Sequence, residues 1–133
     1  MYFSEFNHFE INGDTLLWID FIKWPRWPVP KGADKIFQEM IDDNQLEQIT
    51  TLFKWYKQHR LVSKLKDIDL DDLPYSKVKL IDDVLEKLSS KTATEISDYS
   101  HWDTPYTATE NIWDIIDKWL VFYRSQSYSV TDE

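Results

Sequence analysis

A mainly α-helical domain of the α+β class, compact and carrying one small β-hairpin, is the fold this sequence predicts. Apolar residues recur at three- and four-residue spacing through much of the chain, as amphipathic helices require. Thr92-Ala-Thr-Glu95 and Thr107-Ala-Thr-Glu110 have capping-box spacing, in which a threonine hydroxyl and a glutamate carboxylate satisfy free N–H groups at a helix start. β-branched and aromatic side chains collect in residues 46–66, where they suit a hairpin. At 133 residues the chain can build one real core but not two, so a single domain over 1–133 is expected.

Taken in order, residues 2–11 set Phe3, Phe6 and Phe9, flanked by Tyr2 and Ile11, on roughly one helical face. Asn12-Gly13-Asp14 supplies the turn chemistry to end that helix. Residues 15–24, with Leu16, Leu17, Trp18, Ile19, Phe21, Ile22 and Trp24, fit a helix or a buried strand. Pro25, Pro28 and Pro30 then remove backbone donors and predict an extended linker. From Ala33, a stripe of Ile36, Phe37, Met40 and Ile41 predicts a helix ending near Asp43-Asn44. Residues 46–66 read two ways: Leu46, Ile49, Leu52, Phe53 and Tyr56 fit a helix, while Ile49, Thr51, Phe53 and Trp55 fit a strand face. A hairpin here would turn near Gln58-His59. Residues 67–74 form an acidic connector, and Val78, Ile81, Val84, Leu85 and Leu88 mark a helix over Tyr75–Ser89. The first capping box opens a short helix that Pro105 prevents from running on. The second box is expected to open a last helix, Ile112 to Tyr123, apolar nearly all round and so either central to the core or shared with a partner. Residues 125–133 read as a frayed polar tail.

Composition narrows the function. There is no cysteine, which excludes disulfides, cysteine-ligated metals and thiol catalysis and fits a reducing cytoplasm. Only two glycines leave no room for a phosphate-cradling loop, and no apolar run or basic leader predicts a membrane span or signal peptide. A net charge of −9, from 24 acidic and 15 basic residues, disfavours free nucleic acid and suits docking onto a basic protein. The densest basic run, Lys54, Lys57, Arg60, Lys64 and Lys66, is the one nucleic-acid candidate. An aromatic content of 16% favours a protein-binding face, since tryptophan and tyrosine are common interface anchors.

The corner Glu95-Ile-Ser-Asp-Tyr-Ser-His-Trp-Asp-Thr-Pro-Tyr106 concentrates the informative side chains. Ser100-His101 does not suit a catalytic dyad, because helix neighbours point about 100° apart. The bland role for His101 is to fix the corner by bonding backbone or Asp98. A metal site would need His101 and Asp103 joined by His8 or His59, a scattered set, and no cofactor is implied. The acid pairs Asp42-Asp43, Asp71-Asp72 and Asp82-Asp83 suit solvated helix faces better than chemistry. Candidate partner-binding residues are Trp24, Trp27 and Val29 beside the prolines, and Asp98, Ser100, His101, Trp102 and Tyr106 at the corner.

Ile96-Ser-Asp-Tyr-Ser-His101 followed by an aromatic and Pro105-Tyr106 resembles the "eLSelSH…pW" segment of the Panacea family, the SocA-like, phage-associated antitoxin domains. Tyr2-Phe-Ser-Glu-Phe-Asn-His-Phe9 is similar to its "YfaDf.Hf" helix, and Phe21 to Pro30 to its "y….yGPVP" segment. The flanking helices, Val78 to Leu88 and Ile112 to Tyr123, fall where that family has them, and the family sides with the hairpin for 46–66. Trp27 stands where the family has glycine, and a tryptophan cannot take the positive φ angles glycine allows. Family chains begin ahead of the Tyr2 segment, so this one reads as N-terminally shortened, as a short member or through an upstream start. The resemblance implies a cytoplasmic, non-enzymatic antitoxin of a type II system that binds a cognate toxin; some related proteins act as proteolytic adaptors. The alternative is a phage-associated DNA-binding regulator using the hairpin as a wing.

Overall fold

The computed structural model describes residues 1–65 and 73–131. Lys66, most of the acidic connector and the last two residues of the tail lie outside that range. The chain divides into two compact units, Met1–Lys31 with Leu73–Glu133, and Gly32–Asp72. Both helices and strands are present, as an α+β fold requires.

The first unit is built on helix α1, Tyr2–Asn12, closed by Gly13 at φ 74°. Its aromatic stripe forms the core: Tyr2, Phe3, Phe6 and Phe9 are buried with Phe21, Val84, Tyr106, Ile116 and Val121. Phe6 meets Phe21 edge-on, at 5.8 Å and 81°, and Tyr2 at a shallower tilt, 4.2 Å and 31°. Helix α3, Tyr75–Leu88, buries Val84 and half-buries Val78, Ile81 and Leu88 of the expected stripe, but Leu85 turns to solvent.

Residues 15–24 resolve into a loop and a three-residue strand, β1 (Phe21–Lys23), paired antiparallel with β2 (Pro28–Pro30). The proline segment is thus an edge strand rather than a linker. Phe21 and Lys23 spend their backbone groups on the other side, where Ile116 N–H donates to Phe21 (2.8 Å) and Trp113 N–H to Lys23 (2.7 Å). Strand neighbours alternate in direction, so Ile22 faces Val29 and the flanking prolines sit where no N–H is required.

Residues 112–123 do not form the expected helix. Trp113 has φ 77°, a left-handed conformation no α-helix contains, and Ile115 bridges Ile22. A short 3₁₀ helix, Lys118–Tyr123, follows, with the Asp117 carboxylate accepting from Trp119 N–H at 3.0 Å. The second capping box does not form, because Thr107 ends a one-turn helix, Thr104–Thr107, instead of preceding one. Thr107 donates to His101 O (2.8 Å) and Thr109 to Pro105 O (2.8 Å). Three isoleucines with Asn111 and Asp114 give the segment little helix propensity to resist the pull of β1.

The tail is not frayed over its described residues. Val130 N–H donates to the Glu10 carboxylate at 2.6 Å, and Tyr128 hydroxyl to Tyr99 O at 2.9 Å. Nearby, the Arg124 guanidinium, with no side-chain exposure, grips Asp103 at 2.9 and 2.7 Å and donates to Asn7 at 2.8 Å. Tyr2 donates to the same Asp103 carboxylate at 2.8 Å.

Burial, followed by the Asp103 charge, holds the Tyr2 hydroxyl well above its ordinary value near 10, with Arg124 opposing. A raised acid pKa stabilises through the protonated form. That contribution is complete below pH 10 and is lost as pH climbs through the folded-state value. Tyr2→Phe should therefore lose about 1.5 kcal/mol at neutral pH, one hydrogen bond to a charged acceptor, and show a shallower alkaline decline. Urea midpoints for both proteins between pH 8 and 11 check this; parallel declines would refute it.

The second unit pairs helix α2, Ala33–Asp42, with a hairpin of β3 (Leu46–Phe53) and β4 (Tyr56–Ser63). Asn44, at φ 58°, carries the chain out of the helix as a residue that tolerates the left-handed region. The hairpin forms as expected but turns at Lys54-Trp55, not Gln58-His59, with Lys54 at φ 47°. No glycine or asparagine marks that turn.

Candidate functional site

The helix corner is built as its first capping box dictates. Glu95 N–H donates to the Thr92 hydroxyl at 3.2 Å and opens helix α4, Ala93–His101. Pro105, in the first turn of the next helix, α5 (Thr104–Thr107), keeps α4 from running on into it. Two hydroxyls then lace this corner to the proline segment: Tyr106 donates to Trp24 O, and Ser97 to Arg26 O. The two candidate stretches, far apart in sequence, are thus brought side by side.

Between them lies an open cleft of about 380 Å³, lined by Lys23, Pro25, His101, Trp102, Tyr106 and Ile112. Its floor is Tyr106, whose hydroxyl is pushed upward in pKa by burial. His101 stacks on that ring at 5.1 Å and 20°. Lys23 Nζ sits 4.8 Å from the same ring and donates to Thr109 O at 2.8 Å, so its charge is anchored at the wall. Trp102 stands at the rim, 74% exposed.

The structure distributes the candidate residues unevenly. His101, Trp102 and Tyr106 line the cleft; Trp24 sits behind it, edge-on to Trp113 at 4.3 Å and 64°. Trp27 is exposed, and it is not among the residues with positive φ, so the loop follows a path a side chain allows. Val29 is half-buried within β2, and Asp98 is exposed on α4. Ser100 is buried and donates to Ser97 O at 2.8 Å. His101 does not bond Asp98 or backbone through Nε2. That nitrogen is buried with no hydrogen-bond partner among the described residues, and the ring is fixed by stacking instead. Asp103 is committed to Arg124 and Tyr2, which removes it from any metal set with His101. Lys23, Pro25 and Ile112 were not legible as site residues. They come from segments whose convergence depends on the β1 pairing with 113–116.

No curated protein and no solved structure matches the chain. The family model described as the antitoxin SocA-like, Panacea domain matches residues 1–106, through both units and up to the cleft floor at Tyr106. Matched over most of its length, the chain belongs to the antitoxin SocA-like Panacea family.

Proposed function

We propose that this protein is the antitoxin of a type II toxin–antitoxin pair and neutralises its toxin by direct, non-enzymatic contact at the Trp102 cleft. Family membership supplies the class. The observation that carries the site is a tryptophan 74% exposed at the rim of an apolar cleft. A large ring left in water is a natural anchor for a protein partner. His101, stacked on Tyr106, stiffens the wall that such a partner would meet. The match over 1–106 draws on both units and so supports their acting together; the extension to a single domain over 1–133, cytoplasmic and prophage-associated, belongs to this reading. No helix among the described residues is long and apolar enough to cross a membrane.

The DNA-binding alternative needs the hairpin bases on one face. Alternation along β4 sends Lys57 and Arg60 to opposite faces, which withholds that support. The deciding experiment is growth of a bacterial host expressing the neighbouring reading frame, with and without this chain. Relief of growth arrest is expected, and unrelieved arrest would sink the reading. With the purified partner, Trp102→Ala should weaken binding by roughly 2 kcal/mol, about thirtyfold, with helical circular dichroism unchanged. Equal affinity would move the contact elsewhere.

A further inference from the structure

Beyond residue 106, where the family match ends, the chain carries a second apolar surface. Trp119 is 63% exposed, and Ile115 and Phe122 are each about half exposed. They are contiguous: Trp119 packs on buried Phe9 at 5.3 Å and lies 5.9 Å from Phe122. Ile115 and Trp119 also wall a shallow hollow of about 290 Å³ whose floor includes Phe9 and Ile116.

The rim of this hollow is acidic. Asp20 and Asp117 line it with Lys118. The single lysine is shared between two carboxylates: nearly buried, it donates to Ile19 O at 3.0 Å and lies 3.8 Å from Glu5 and 3.9 Å from Asp20. Glu5, Asp20 and Asp117 therefore outweigh the ammonium, and the field at the hollow is negative.

An apolar seat with an acidic rim fits one kind of occupant. We propose that the Ile115–Trp119–Phe122 face docks a basic amphipathic segment of a partner protein, its apolar side chains in the hollow and its lysines or arginines over Asp20 and Asp117. This surface rests on the antitoxin reading only for the identity of the partner; the chemistry of capture stands apart from it.

The probe is a synthetic amphipathic Lys/Leu peptide, with a Glu/Leu peptide of the same pattern as control, titrated calorimetrically against the full chain. The Lys/Leu peptide should bind wild type and Trp102→Ala alike. It should bind Trp119→Ala at least tenfold more weakly and Asp20→Asn several-fold more weakly with a flatter salt dependence. The Glu/Leu peptide should not bind. Equal binding of the Lys/Leu peptide to Trp119→Ala and wild type, in proteins with matching circular dichroism, overturns the surface, as does equal binding of both peptides. Asp20→Asn, on an exposed side chain, keeps the test valid should Trp119→Ala fold poorly. A chain that captures the peptide yet never relieves arrest refutes the antitoxin reading and leaves this surface standing.

Discussion

Asp103→Asn is expected to cost about 3–5 kcal/mol, the loss that follows when one partner of a buried ion pair is removed. The carboxylate neutralises a guanidinium with no exposure and accepts two of its N–H groups, along with the Tyr2 hydroxyl. An asparagine of the same shape would place a neutral amide against a buried positive charge. Set against a total stability of about 5–15 kcal/mol for a chain this size, the variant stands near the edge of folding. Arg124→Met should cost a similar amount, because it strands Asp103 and Glu10. The double variant should cost well under the sum, with a coupling of about 2 kcal/mol or more. Denaturant midpoints for the four proteins test this, and additive losses would mean the pair acts independently.

Glu5→Ala should follow closely, at about 3 kcal/mol, by a different route. Glu5 is fully buried, and its carboxylate accepts Leu16 N–H at 3.0 Å and Leu17 N–H at 2.6 Å. Those donors belong to a partly buried loop with no ladder of its own, and a buried donor left unpaired costs about 1–3 kcal/mol, so two half-shielded ones together cost about that much. Lys118 loses its carboxylate neighbour as well. Glu5→Gln should recover only part of the loss, since its amide N–H₂ would face one of the two donors. Chemical denaturation distinguishes the two variants; full rescue by glutamine would show that one bond suffices.

Legibility in the sequence tracked how local the cause was. Helix α1 was readable because Phe3, Phe6 and Phe9 repeat at a helical interval and Gly13 follows. Helix α4 was readable because Thr92 and Glu95 need only each other. The hairpin was readable as a class, but its turn was not, since Lys54 in a left-handed conformation leaves no compositional trace. The last segment misled because its fate is decided by β1, some ninety residues earlier, while Thr107 and Thr109 present the same letters whether they cap forward or bond backward. The site divides the same way. Trp102 stood out beside a helix end, whereas Arg124, which holds Asp103, falls between the expected last helix and the polar tail, where nothing local marks it.

The bonds that hold α1 have a temporal consequence. Tyr2 waits for Asp103, 101 residues on; Asn7 waits for Arg124, 117 residues on; and Glu10 waits for Val130, 120 residues on. Helix α1 therefore reaches these polar partners only after residues 103–130 have left the ribosome. Contacts of such long sequence separation slow folding. A nascent chain interrupted before Arg124 would hold carboxylates with nothing to neutralise them and could not settle its core. Burial of the aromatic helix is thus tied to residues 103–130: a chain that lacks them cannot satisfy the polar groups that α1 takes out of water.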